Sequence, residues 1–297
     1  PNVQTSTGAI VGNFRWGPVE QRTLISNEAD LIDTFASPDT TSTIDFHSAS
    51  YFLRYSNSLQ VVRAVTSAAK NARAGARSGT LSDGHPTWSN IPVVKNKDNF
   101  TAQQGALDSD KNTFIARYPG ALGNSIQVSI CPSNVNDSAF DNWAYKSAFD
   151  NAPSSSDVDS AAGGTRTEIH IVVADQDGLI TGTKGTILEA YPWVSVATNS
   201  KAPDGGTNYA PNVINERSEY IHMVGFPAEI TSKAPLVGTA MTSTQQTFIR
   251  NDIDIGMRVF DYSLDSGANS AALGSSEIQT GAGLFADQEA VEVDFLI

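Results

Sequence analysis

The sequence predicts an α+β fold in which a β-rich middle domain, a sandwich or small barrel with short helices, is inserted into an incomplete α/β-type core domain. Three observations support this class. Helix and strand patterns alternate over the first 65 residues, strand patterns separated by long polar loops fill the middle, and the last seven residues alternate again. A chain of 297 residues is long enough for two units, because single hydrophobic cores stop growing near about 250 to 300 residues.

The N-terminal segment is predicted to have the order strand, helix, helix, strand. An apolar strand covers Ala9 to Phe14. The first helix then has Asn27 at its N-cap and Asp30 in an acidic first turn, where the helix dipole favours negative charge. A second helical pattern covers about Ile44 to Tyr55, and the β-branched run Leu59 to Val65 is typical of a buried strand.

The next stretch loses this periodicity. Residues Thr66 to Asn112 are rich in Ala, Gly, Ser and Asn, so we expect a linker or a surface excursion. A regular hydrophobic pattern reappears at Ile126, Val128 and Ile130, which alternate with polar residues. This alternation predicts a half-buried strand.

A hairpin is predicted further along the chain. Its first strand covers Glu168 to Ala174, Asp175 to Gly178 forms the turn, and Leu179 to Ile180 begins the return strand. The pattern of Thr186 to Val196 leaves helix and strand both open. A last strand of the middle region is predicted over Tyr220 to Val224.

Composition excludes several classes of function. The chain has 32 acidic and 19 basic side chains, a net charge of −13, and such a surface repels nucleic acid. No segment approaches the roughly 20 apolar residues of a membrane span, so no membrane insertion is expected. The single cysteine, Cys131, cannot form an internal disulfide, which fits synthesis in a reducing cytosol.

No catalytic, cofactor-binding or metal-ligating residue is predicted. The four histidines stand far apart in the sequence, namely His47, His85, His170 and His222. His170 alternates with Ile169 and Ile171, which predicts an exposed or interfacial position instead of a metal ligand. Cys131 is interpreted as a small packed residue, and Asp175 to Gly178 as a β-turn instead of a calcium loop, which needs further oxygen ligands. The segment Gly182 to Gly185 lacks the spacing of a phosphate loop.

Several strings resemble one known family. Three occur in the same order and at similar spacing, namely Ser6–Glu20, Asn27–Leu31 and Leu59–Val65. Further strings with a resemblance are Tyr118–Ile126, Asp175–Leu188, Asn215–Ile221 and Leu284–Ile297. Together they are similar to the contractile-tail sheath proteins of T-even-like phages. The resemblance leaves out Thr66 to Asn112, Ser133 to Thr165 and Pro227 to Leu273.

The resemblance implies a domain division. Residues 1–65 and 284–297 would form an incomplete, discontinuous sheath core domain, and residues 66–283 an inserted β-rich domain. Within the insertion, residues 66–112 would be a linker or a reduced form of the family's protruding region. Because the chain opens at Pro1 and closes in a strand-like run, we also expect an internal or protease-resistant fragment of a longer polypeptide.

The resemblance also implies a mechanical role without enzymatic activity. Sheath subunits form a helical polymer around a tail tube, next to a baseplate, and contract to drive the tube through the host envelope. The expected location is the virion tail, after synthesis in the host cytoplasm. The chain by itself is expected to be monomeric, because β-augmentation between subunits depends on terminal arms.

Two other classes of function stay open at this point. A phage receptor-binding or tail-fibre module would also be β-rich and polar, without catalytic spacing. A glycan hydrolase would need two carboxylates about 5 to 10 Å apart in space, and such a pair leaves no mark in the sequence.

Overall fold

The computed structural model describes residues 6–74, 93–107, 113–132, 138–153, 167–226, 259–287, 289 and 291–297. Its strands, numbered in chain order, are β1 (Gly8–Gly12), β2 (Arg22–Ile25), β3 (Leu59–Arg63), β4 (Arg73–Ala74), β5 (Phe114–Ala116), β6 (Ile126–Pro132), β7 (Glu168–Asp175), β8 (Thr186–Ser195), β9 (Ile221–Met223), β10 (Phe260–Ser263) and β11 (Phe295–Leu296). The α-helices are α1 (Glu28–Phe35), α2 (Thr43–Leu53), α3 (Lys97–Gln103), α4 (Ser138–Asp141), α5 (Ala210–Arg217) and α6 (Ser275–Gly283). This mixture of several sheets with few helices confirms the predicted α+β class.

The first sheet has the strand order β11-β1-β3-β2 and forms, with α1, α2 and α6, what we call the first unit. Strand β1 pairs in parallel with both β3 and β11, whereas β2 pairs antiparallel with β3. Helices α1 and α2 share one core with the sheet, made by Ile10, Phe14, Ile25, Leu31, Phe35, Phe46, Ala49, Leu59 and Val61. Helix α6 covers the opposite face, where a Cβ on Gly281 would lie 2.5 Å from Val11. Only glycine lets the helix approach the sheet this closely.

The predicted helices of the first unit are present. The Asn27 side chain caps α1 by accepting a hydrogen bond from the backbone N–H of Asp30, as the sequence indicated. The predicted order of elements was wrong in one respect, because β2 lies between β1 and α1. This strand covers only Arg22–Ile25 and leaves Leu24 exposed, so it has no buried apolar pattern that sequence reasoning could detect.

Part of the stretch that was predicted to be a linker lies in the hydrophobic core. Ala69 and Ala72 are fully buried, and the buried side chain of Asn71 donates to the carbonyls of Val94 and Ala116 at 2.9 and 3.0 Å. Helix α3 also falls in this stretch. The prediction of a linker or surface excursion was therefore wrong for residues 66–74 and 93–107, because small side chains and one amide fill narrow gaps without any periodicity. Residues 75–92 and 108–112 lie outside the described residues.

The second sheet has the order β10-β6-β7-β8, and all of its pairs are antiparallel. Strand β6 is buried on both faces, so the prediction of a half-buried strand was wrong. The reason is a segment that we call the strap, residues 138–153, which covers one face with Phe140 and Trp143 against Cys131, Val172 and Ala174. On the other face a larger core joins the second sheet to the third, β4-β5-β9, and to α5.

The first and last strands lie side by side. Gly8 of β1 is opposite Phe295 of β11, and the backbone N–H of Asp294 donates to the carbonyl of Thr7 at 2.8 Å. The C-terminal strand is shorter than expected, since only Phe295–Leu296 is strand. The division into residues 1–65 with 284–297 and an inserted 66–283 stays a prediction. We call the second and third sheets with α3, α4 and α5 the second unit.

Candidate assembly surface

His170 is fully buried on β7, so the prediction of an exposed or interfacial histidine was wrong. The strap covers its face of the sheet. The imidazole ring stacks on Phe149 with ring centroids 4.3 Å apart, and it meets Trp193 and Phe140 edge-on. Strand alternation could not reveal this, because it assumes that the face opposite the main core is open to solvent.

Both ring nitrogens of His170 are used. Nε2 lies 2.8 Å from the carbonyl oxygen of Asn151, and Nδ1 accepts from the backbone N–H of Trp193 at 3.0 Å. A β-bulge places Pro192 and Trp193 opposite this single residue, and Trp193 has a φ of 50°. The ring is therefore neutral with its proton on Nε2, and burial lowers the pKa of His170 to about 4. Its role in this arrangement is structural.

His222 is also fully buried, on β9, where its ring lies parallel to Phe100 at 4.1 Å. Neither ring nitrogen has a hydrogen-bond partner within the part of the chain that the structure describes. Burial lowers the pKa of His222 to about 3, with the charges of Arg117 and Lys97 acting in the same direction. His47 is exposed on α2, and His85 lies outside the described residues.

Cys131 is buried against the strap, in agreement with its interpretation as a packed residue. Within the described ranges, no group of three or more His, Cys, Asp or Glu side chains could hold a metal ion. No helix in the same ranges is long and apolar enough to cross a membrane.

Asp175 organises the loop between β7 and β8. Its carboxylate accepts from the Ser125 hydroxyl at 2.5 Å and from the backbone N–H groups of residues 178–181. Burial alone would raise the pKa of Asp175, but these hydrogen bonds outweigh it and hold the pKa below its ordinary value. The return strand starts only at Thr186, so the prediction that it begins at Leu179 was wrong. A carboxylate that binds four successive amides can hold a loop wider than a β-turn.

Replacing this carboxylate should loosen the loop. We expect Asp175→Ala to lower the free energy of unfolding by about 2 kcal/mol, since hydrogen bonds to a charged group contribute about 1.5 to 3 kcal/mol. Hydrogen exchange of the amides of residues 178–181 should become faster. Asp177→Ala removes an exposed carboxylate of the same loop and should change neither quantity. Unchanged exchange in the Asp175 variant would contradict this account.

Arg63 joins the two units. Its guanidinium is buried and donates to the carbonyls of Phe14, Gly17 and Arg15 in the first unit and of Pro119 in the second. Burial lowers the pKa of Arg63 to about 9, against the opposing charges of Tyr118 and Asp39, so the group stays charged at neutral pH. Trp16 reinforces the contact by packing edge-on against Tyr118.

Exposed apolar side chains are concentrated on the first unit. Nine of the large exposed side chains that the structure describes belong to it or to the residues beside its elements, namely Leu24, Ile32, Ile44, Tyr51, Tyr55, Ile278, Phe295, Leu296 and Ile297. Two belong to the second unit, Leu179 and Ile187. Exposed apolar residues mark interaction surfaces where they lie together, whereas single ones do not. Because the first unit has most of the exposed apolar side chains, it is the candidate region for assembly.

Comparisons with known proteins place the chain beside one class of phage protein. No family model matches the chain. It is 29% identical over 243 residues to the tail sheath protein of Salmonella phage ViI, a match that covers 82% of the chain and 33% of that protein. Shorter matches are 47% identical over 64 residues to the tail sheath protein of Enterobacteria phage T4, and 39% identical over 59 residues to that of Vibrio phage KVP40.

The chain spans only part of these relatives. The two shorter matches cover 10% and 9% of the T4 and KVP40 proteins. Two solved sheath tail proteins, from Listeria innocua and Desulfitobacterium hafniense, align with 100% and 98% of the chain and with 40% and 41% of their own lengths. Their TM-scores are 0.44 and 0.45 at 11% and 12% identity. The three phage relatives confirm the resemblance that the sequence motifs indicated.

Proposed function

We infer from these similarities that the chain is a tail sheath protein of a contractile phage tail. We propose that it is a structural subunit that assembles with other copies around the tail tube and contracts to drive the tube through the host envelope. The observation that carries the proposal is the match to the ViI tail sheath protein over 82% of the chain.

The contacts between the two units support a mechanical role. A sheath can store assembly free energy if each subunit exchanges one set of interfaces for another without much change in its own conformation. This requires a subunit that moves as a rigid body. Arg63 and Trp16 tie the first unit to the second through buried hydrogen bonds and ring packing. The subunit can then transmit force between the interfaces on its surface.

The first sheet offers edges for strand addition. Among the described residues, β2 and β11 form its two edges, and an unpaired strand edge is a template for pairing with another chain. The side chains of Glu292 and Asp294 are exposed beside β11 and discourage indiscriminate association. We therefore expect this chain alone to be monomeric, with reversible dimers at most.

The proposal also covers activity, partners and location. The relatives are named as tail sheath proteins, and we propose that this chain likewise has no enzymatic activity and needs no cofactor or metal. Its partners would be other sheath subunits, the tail tube and the baseplate, in the virion, after synthesis in the host cytoplasm. With a net charge of −13, the chain is not expected to bind nucleic acid directly. The receptor-binding or tail-fibre alternative is not favoured by the named relatives.

Electron microscopy tests the proposal. The complete gene product, expressed and purified without other phage proteins, should form hollow tubes or stacked rings in negative stain. Tubes are expected because copies related by a non-closing rotation generate a helix. Trimeric, fibre-shaped particles at every concentration would instead support the tail-fibre alternative and contradict the proposal.

A further inference from the structure

Helix α2 is apolar on two opposite faces. Its inner face packs Phe46 and Ala49 against the first sheet. On the outer face, Ile44 and Tyr51 are 81% and 57% exposed, and Tyr55 just beyond the helix is 91% exposed. Large apolar side chains on one helix face are normally buried, whereas these are exposed in the single chain, so the outer face is open to contact with another molecule. We call this face the α2 stripe, which consists of Ile44, His47, Tyr51, Arg54 and Tyr55.

The α2 stripe combines aromatic rings with positive charge. The guanidinium of Arg54 lies over the Tyr51 ring, 4.9 Å from its centroid, and the His47 ring lies 6.3 Å from the same ring. The one acidic residue of the helix, Asp45, accepts a hydrogen bond from the backbone N–H of Asn13 at 2.6 Å and is used there. The stripe therefore has no carboxylate of its own, on a chain whose net charge is −13.

This composition fits a protein partner. Tyrosine and arginine are the residue types that dominate binding energy at protein interfaces, where they form a central apolar contact with a charged group. The outer face of a helix is convex, whereas small-molecule sites are concave. A single arginine also falls short of the several basic residues that hold a protein on an anionic membrane.

We propose that the α2 stripe binds an acidic surface of a second copy of this chain within the sheath polymer, which rests on the proposed function. The second copy is favoured by charge, because each chain has 13 more acidic than basic side chains and thus supplies acidic groups that the exposed guanidinium of Arg54 attracts. The contact is heterologous, since the stripe of one copy meets a different surface of the next. Contacts of this kind extend into helical polymers.

Helix α2 also packs on the strand next to β11. A Cβ on Gly8 would lie 2.5 Å from the ring of Phe52, near the C-terminal end of α2, and the same glycine is the strand partner of Phe295 in β11. Strand β11 has exposed apolar side chains of its own, Phe295 and Leu296.

Assembly measurements on the complete gene product test this inference. The double variant Tyr51→Ser/Tyr55→Ser should raise the critical concentration for polymer formation at least about tenfold, since tyrosines at the centre of an interface contribute a large share of the binding energy. Arg54→Glu should weaken assembly most strongly at low salt, where charge pairs are least screened. The control Leu179→Ser removes an exposed apolar side chain of the second unit and should stay within about twofold of the original. Pelleting and negative stain give the critical concentration, and sedimentation velocity detects smaller oligomers.

The outcomes distinguish the inference about the α2 stripe from the proposed function. If the unaltered protein polymerises and the tyrosine variant assembles equally well, the inference is wrong and the proposed function stands. If the unaltered protein stays monomeric at every concentration, both are wrong. Stripe-dependent binding to vesicles of phosphatidylserine and phosphatidylcholine, with assembly unaffected, would assign the stripe to a lipid surface and also overturn the inference. Thermal unfolding of the variants should match the original, because the replaced side chains are exposed.

Discussion

Replacing Arg63 by alanine should lower the free energy of unfolding by about 3 kcal/mol or more, because each buried acceptor left without a donor costs about 1 to 3 kcal/mol. The variant leaves four carbonyl oxygens, three in the first unit and that of Pro119 in the second, without the guanidinium that now binds them. Arg63→Lys should recover only part of the loss, because an ammonium cannot match the planar arrangement of five N–H donors. Urea unfolding followed by circular dichroism measures both variants.

The control for Arg63 is Arg217→Ala, in the exposed last turn of α5. It should cost about 0.5 kcal/mol, from the interaction of a cation with the helix dipole alone. If Arg63→Ala lowered the free energy of unfolding by less than about 1 kcal/mol, water would be replacing the guanidinium between the two units. The two units would then be joined loosely, and the view of the subunit as a single body would fail.

Stability should fall as the pH is lowered from 6.5 towards 4, because His170 must remain neutral in the fold. Histidine in an unfolded chain has a pKa near 6.5, and burial lowers the pKa of His170 to about 4. Protons therefore bind the unfolded chain more readily between these values. The contribution of neutral His170 to stability is complete above pH 6.5 and is lost on acidification. The loss amounts to on the order of 3 kcal/mol at pH 4.

Variants assign this pH dependence. His170→Gln cannot be protonated, so its stability should be lower at pH 7 but should depend less on pH between 6.5 and 4.5. His222, with its pKa lowered to about 3, contributes in the same window and should account for the remaining slope. His47→Gln alters an exposed ring and should leave the slope unchanged. Burial would raise the pKa values of Asp39 and Asp175, but their hydrogen bonds outweigh it and hold both pKa values below the ordinary value, so most of their contribution to stability is lost below pH 4.5. An unaltered slope in the His170 variant would contradict the assignment.

Local signals in the sequence predicted the first unit well. The α1 cap depends on residues 27 to 30 alone, and β3 is a short apolar run, so both can be recognised without knowledge of the fold. The absence of any catalytic spacing in the sequence likewise indicated a structural role. The family resemblance required several strings in order, because each one alone is weak.

Long-range contacts account for what could not be predicted. The four carbonyls bound by Arg63 come from residues 46 to 56 positions away, and no local pattern marks them. The burial of His170 depends on the strap, whose anchor Trp143 donates to the Ser129 hydroxyl across the strand. The α2 stripe could not be predicted for a local reason. A helix with two apolar faces has no clear amphipathic direction in its sequence.

Antibody labelling of intact phage particles tests the central claim most directly. Gold-labelled antibodies raised against this chain should decorate the tail along its whole length, and the labelled region should become shorter and wider in particles whose tails have contracted. This result is expected only of a protein repeated in every ring of the sheath. Label confined to the fibre tips or to the baseplate, with an unlabelled tail shaft, would contradict the account and assign the chain to receptor binding.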